Sequence, residues 1–107
     1  MDSFDDRRRG EETRFALGEE MAFRIQARRN RLLGEWAAAK MDLSPAETEA
    51  YAKGVVQADF EEAGDEDVIR RLLGDITSAD VEVTETEVRA ALEQKAIEAR
   101  RMLMGEG

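Results

Sequence analysis

From residue 19 onward, apolar side chains return with a helical period. Met21, Ile25, Leu32, Trp36 and Ala39 stand at successive spacings of four, seven, four and three, which places them in one stripe of an α-helix. Ala22 and Leu33 widen the stripe. Phe23, Ala27, Ala37 and Met41 widen it further, leaving Arg24, Arg28, Arg31 and Glu35 on a narrow polar ridge. A helix apolar over so much of its circumference has to be surrounded by others. Residues 19–41 are therefore expected to be the central helix of a bundle.

Three further helices are written behind it. After Asp42 and Leu43 come Ser44, Pro45 and Glu47: an N-cap, a proline at the first helical position and a carboxylate at N3, the capping-box start signal. This second helix runs to about Glu62 and is expected to bury Tyr51, Ala52, Val55, Val56, Ala58 and Phe60, with Ala63 and Gly64 breaking it. Asp65, Glu66 and Asp67 then put negative charge on the positive end of a third helix, whose core face is Val68, Ile69, Leu72, Leu73 and Ile76. It stops near Thr77 and Ser78. Thr84 and Glu87 form a second capping box, and Val83 and Val88 are spaced as a hydrophobic staple. The fourth helix should bury Val88, Ala91, Leu92, Ala96, Ala99 and Leu103 before Gly105 frays it. The expectation is an all-α fold: a four-helix bundle over residues 19–107, with no internal repeat.

Residues 1–18 break this pattern. Phe4, Phe15, Ala16 and Leu17 are their only apolar contacts beyond Met1, set among Asp5, Asp6, Arg7, Arg8, Arg9, Glu11, Glu12 and Arg14. Gly10 and Gly18 each cost about 1 kcal/mol relative to Ala in a helix. A segment this short is marginally helical on its own, and it reads as a flexible arm. Phe4, Phe15 and Ala22 share one side if it becomes helical. The arm is thus either a tail without function or a motif that folds on a partner.

Composition narrows the chemistry. The 107 residues contain no Cys and no His, which removes disulfides, the usual zinc sites and histidine-dependent nucleophilic catalysis. No glycine-rich phosphate loop is present. Net charge is −9, distributed as +1 over residues 1–40 and −10 over residues 41–107. An acidic body repels nucleic acid and anionic lipid. No signal peptide, membrane span, cofactor site or catalytic residue is expected, and the reading is a cytoplasmic, monomeric protein that is not an enzyme. Residues 59–67 have acids at alternate positions and a Gly at the sixth, but a calcium loop also needs an oxygen ligand at position five and a Glu at twelve. Ala63 and Arg70 stand there, so a metal is rejected. Arg24, Arg28, Arg29 and Arg31 are either a docking ridge or, as such runs more often prove, partners of the later acidic helices. Trp36, Phe23 and Met21 read as core in preference to a ligand slot.

Several stretches taken together carry a resemblance. They include Phe4-Asp5-Asp6-Arg7, Phe15-Ala16, Ala27-Arg28-Arg29-Asn30, Leu32-Leu33-Gly34, Trp36-Ala37-Ala38, Ala50-Tyr51-Ala52-Lys53, Val55-Val56, Ala58-Asp59-Phe60-Glu61-Glu62 and Gly64-Asp65-Glu66-Asp67-Val68. In this order the chain resembles the zeta subunit family of alphaproteobacterial F-type ATP synthases. The resemblance implies an ATPase inhibitor, peripheral to the inner-membrane synthase, whose N-terminal arm folds as a helix into a catalytic interface of the head. The implied partners are the alpha and beta subunits, with gamma as a further contact. The implied partner-binding residues are Phe4, Asp5, Asp6, Arg7, Phe15 and Ala16. Where the family pattern has Glu, Ala and an aromatic residue, this chain has Arg8, Gly10 and Glu11, which implies inhibition weaker than is typical, or none. The family has also been linked to adenine nucleotide binding, for which the sequence offers no specific pocket. The competing reading is a helical adaptor that binds another partner through its bundle surface.

Overall fold

The computed structural model describes the backbone over residues 2–62 and 64–105, and the side chains from Gly18 onward with Ala63 excepted. Four helices follow in order: α1 (Asp2–Lys40), α2 (Pro45–Glu61), α3 (Asp65–Ser78) and α4 (Glu85–Met104). No strand occurs among the described residues, and none of their helices is long and apolar enough to cross a membrane. α1 packs along α2 and α4, and α3 closes the fourth side against the same two. The all-α bundle required by the periodicity is the observed fold. The side chains of residues 1–17, which belong to the expected arm, lie outside the described residues.

The start signals work largely as written. Ser44 accepts from the Glu47 backbone N–H, and the Glu47 carboxylate accepts from the Ser44 N–H at 2.8 Å. That backbone bond, with the Ser44 hydroxyl, holds the Glu47 carboxyl below its ordinary value. Thr84 caps α4 in the same way from one side only, accepting from the Glu87 N–H at 3.1 Å. Two stop signals were less visible. Asp42 and Asp80 adopt left-handed backbone (φ 57° and 62°), and the next residue reaches back to the helix, Leu43 N–H to Ala38 O and Val81 N–H to Ile76 O. These are Schellman closures with Asp where Gly is usual.

The core gathers Leu33 and Ala37 of α1, Val55 of α2, Val68, Ile69, Leu72 and Ile76 of α3, and Val88, Ala91 and Leu92 of α4. Each fully buried Leu, Ile or Val contributes about 1.5–3 kcal/mol. The phase of α1 differs from the expected one. Its buried centre is Asn30, Leu33, Gly34 and Ala37, while Met21, Ile25, Leu32 and Trp36 are half-buried on the flank and Ala39 is exposed. The cause is the smallness of Gly34, Ala37 and Ala38. Hydropathy ranks them below Trp and Ile, yet they set the line along which a neighbour comes closest.

Three other residues expected inside are exposed. Phe60 is turned out because Asp59 occupies the core position, and the next residue of a helix points about 100° away. Ala22 and Phe23 stand at the level of the last turn of α2, where little remains to cover them.

Gly34 marks the closest approach of α1 and α2. A Cβ there would stand 2.8 Å from Ala52 Cα, a backbone atom that cannot swing aside, and 3.3 Å from Val55 Cγ2. Gly74 on α3 has open space around it. Gly34→Ala is therefore expected to destabilise by about 1–2 kcal/mol after its gain in helix propensity is deducted. Gly74→Ala should stabilise by about 1 kcal/mol. Thermal unfolding should show the two variants shifting in opposite directions.

Candidate partner-binding surface

Near the end of α1 that continues into the arm, a polar cluster replaces the apolar core. Asp59 of α2 is its centre. Its Oδ2 accepts from Asn30 Nδ2 at 2.6 Å and from Gln26 Nε2 at 3.0 Å, and its Oδ1 accepts from the Gly64 backbone N–H at 3.3 Å. Arg29 Nη2 lies 4.0 Å from Oδ2, and Arg29 Nη1 donates to Asp65 Oδ1 at 2.9 Å. Arg29 also donates from Nε and Nη2 to Asn30 Oδ1 at 3.1 and 2.9 Å. The Arg29 and Asp59 side chains are only 7% and 5% exposed. Burial pushes the Asp59 carboxyl up, but Gln26, Asn30, the Gly64 N–H and Arg29 together outweigh it and hold it below its usual value. The cluster clamps α1 to the turn between α2 and α3, with both Asp59 carboxylate oxygens accepting hydrogen bonds.

Over this clamp the surface opens into a groove. Phe23 of α1 and Phe60 of α2 meet edge to face, with centroids 5.6 Å apart and planes at 85°, and they remain 55% and 70% exposed. They join Ala27, Val56 and Leu103 in lining a shallow cavity of about 710 Å³ rimmed by Arg24, Arg28, Arg31 and Lys53. The Arg run thus divides. Arg29 is taken by Asp59 and Asp65, Arg31 reaches Glu49 and Glu35, and Arg24 pairs with Glu20. Arg28, half-buried, has no hydrogen-bond or ion-pair partner among the described residues. Trp36 packs on the core cluster. Phe23 lies about 20 Å along the helix from it, so the two do not form one slot.

A family model described as ATPase inhibitor subunit zeta matches residues 1–102. The chain belongs to that family. A protein solved by solution NMR is 47% identical, superimposes with a TM-score of 0.69, and is matched over 99% of its length and 81% of this chain. No curated protein matches. The zeta family is one of ATPase inhibitors, so the role is regulatory and is carried by binding an ATPase. Of the zeta-type binding residues expected from sequence, Phe4, Asp5, Asp6 and Arg7 lie in the first turns of α1, and Phe15 and Ala16 where its fourth turn passes into its fifth; their side chains fall outside the described residues. The Asp59 clamp and the exposed Phe pair were not anticipated. Asn30, a polar residue three before Leu33 and seven before Ala37, was the available signal for the clamp.

Proposed function

We propose that this chain restrains ATP hydrolysis by the catalytic head of an F-type ATP synthase. Its N-terminal arm, with Phe4, Asp5, Asp6, Arg7, Phe15 and Ala16, enters a catalytic interface between alpha and beta subunits as a helix, with gamma as a further contact. The head has to open and close that interface in each cycle, so a helix wedged there stalls it without any chemistry of its own.

The observation that supports this reading is a mismatch of lengths. α1 has 39 residues and its longest neighbour, α4, has 20, or about 58 Å against 30 Å at 1.5 Å per residue. α4 begins beside the end of α1, where Lys40 pairs with Glu87, and ends beside Phe23 and Arg28, where Leu103 lines the groove. About twenty residues of α1 are thus covered and as many outrun the bundle. The uncovered part is the arm read from the sequence.

Titrating the chain into purified cognate head while following ATP hydrolysis tests the proposal. The native arm should inhibit weakly, because Gly10 lowers helix propensity by about 1 kcal/mol and Glu11 supplies charge where an apolar anchor would help. Gly10→Ala combined with Glu11→Phe should lower the half-inhibitory concentration about tenfold or more. No inhibition by either chain at any dose would overturn the proposal, and potent inhibition by the native chain would overturn the account of Gly10 and Glu11.

A further inference from the structure

We propose that the Phe23–Phe60 groove is a second docking surface, which receives an acidic amphipathic helix on the outer rim of the protein that takes the arm. This rests on the inhibitory reading above and adds a contact to it.

Two aromatic rings in mutual contact, each more than half exposed, are costly to leave in water and are the residue type that anchors protein interfaces. Their surroundings select the occupant. Arg24, Arg28 and Arg31 recur at spacings of four and three along α1, so their side chains form one row about 10 Å long, and Lys53 faces them across the groove. Within the chain they meet Glu20, Glu35 and Glu49, and the half-buried Arg28 is left unmatched among the described residues. In a chain of net charge −9, this apolar floor has a basic rim. A helix with an apolar stripe and carboxylates repeating every three or four residues complements it.

Position on α1 points to the same partner. Phe23 lies seven residues, about 10 Å, beyond Ala16 on the same helix. An arm inserted as far as Phe15 and Ala16 brings the groove against the rim of its entrance.

The test uses the full chain. Phe60→Ser and Arg28→Glu, singly and combined, together with Lys53→Glu, are titrated into cognate head, and both half-inhibitory concentration and residual hydrolysis at saturation are read. All of these side chains except the half-buried Arg28 are exposed, so the melting temperature of each variant should stay within a few degrees of the native value. The combined variant should need about tenfold more protein or more for half-inhibition, yet reach the native residual rate at saturation, because the arm is unaltered. The charge variants should lose salt sensitivity as well. An unchanged half-inhibitory concentration in a chain that still inhibits overturns the groove alone. Absence of inhibition by the native chain and by its Gly10→Ala, Glu11→Phe form overturns the arm. If the native chain sediments as a dimer and Phe60→Ser as a monomer, the groove belongs to a second copy and this proposal fails.

Discussion

Asp59→Ala is expected to lower unfolding free energy by about 3–5 kcal/mol, a large share of the 5–15 kcal/mol that holds a typical domain together. The substitution removes the acceptor for Asn30, Gln26 and the Gly64 N–H at once, and takes from the buried Arg29 one of its two carboxylates. Asn30, buried at 1% exposure, is left without its acceptor or water at about 1–3 kcal/mol, and Arg29 keeps Asp65 only at the solvent edge, where that carboxylate is 54% exposed. Urea unfolding followed by circular dichroism reads the loss directly. Acid should produce part of the same effect in the native chain. The folded carboxyl is held below its ordinary value, so its stabilising contribution is complete above the unfolded value of about 3.9. That contribution is lost as pH falls through the depressed folded value. Asp59→Asn should remove this component of the acid dependence. An Asp59→Ala chain that unfolds at the native urea concentration would show that the clamp is ornamental.

Deleting residues 1–17 should abolish inhibition of ATP hydrolysis at every concentration while leaving the bundle folded. The core cluster draws on residues from Leu33 to Leu92, with Trp36, Met41 and others packed on it, and every described hydrogen bond between helices begins at Gln26 or later. The melting temperature should therefore change by only a few degrees. Hydrolysis assays and a thermal melt on one preparation separate the two readings of the chain. An adaptor that binds through its bundle keeps its partner function after the deletion, whereas an inhibitor that acts through the arm loses it.

Capping chemistry and apolar period made the architecture legible, because both act locally. Ser44, Glu47 and Thr84 report helix starts within four residues of chain. Val68, Ile69, Leu72 and Ile76 are buried as their spacing requires. The phase of α1 was harder, since apolar residues occupy most of its circumference and closeness of approach at Gly34 depends on Ala52 of another helix. Asp59 shows the same difficulty from the polar side. In a run of acids near a helix end it looks solvated, and only Asn30 and Gln26, about thirty residues earlier, make its burial tolerable. The family assignment was visible through many short matches in order. The exposed Phe pair was not, because hydropathy assigns every Phe to the interior.

Gly18 sits near the middle of α1, with nothing within 4 Å of where a side chain would begin. Since one unbroken helix joins the two halves, the backbone before Gly18 is indexed to the bundle by residue count alone. One residue inserted between Gly18 and Met21 would turn the preceding helix backbone by about 100° and shift it by 1.5 Å. The segment around Gly18 therefore behaves like the shank of a key: its length can change only in increments that return the teeth to their original orientation.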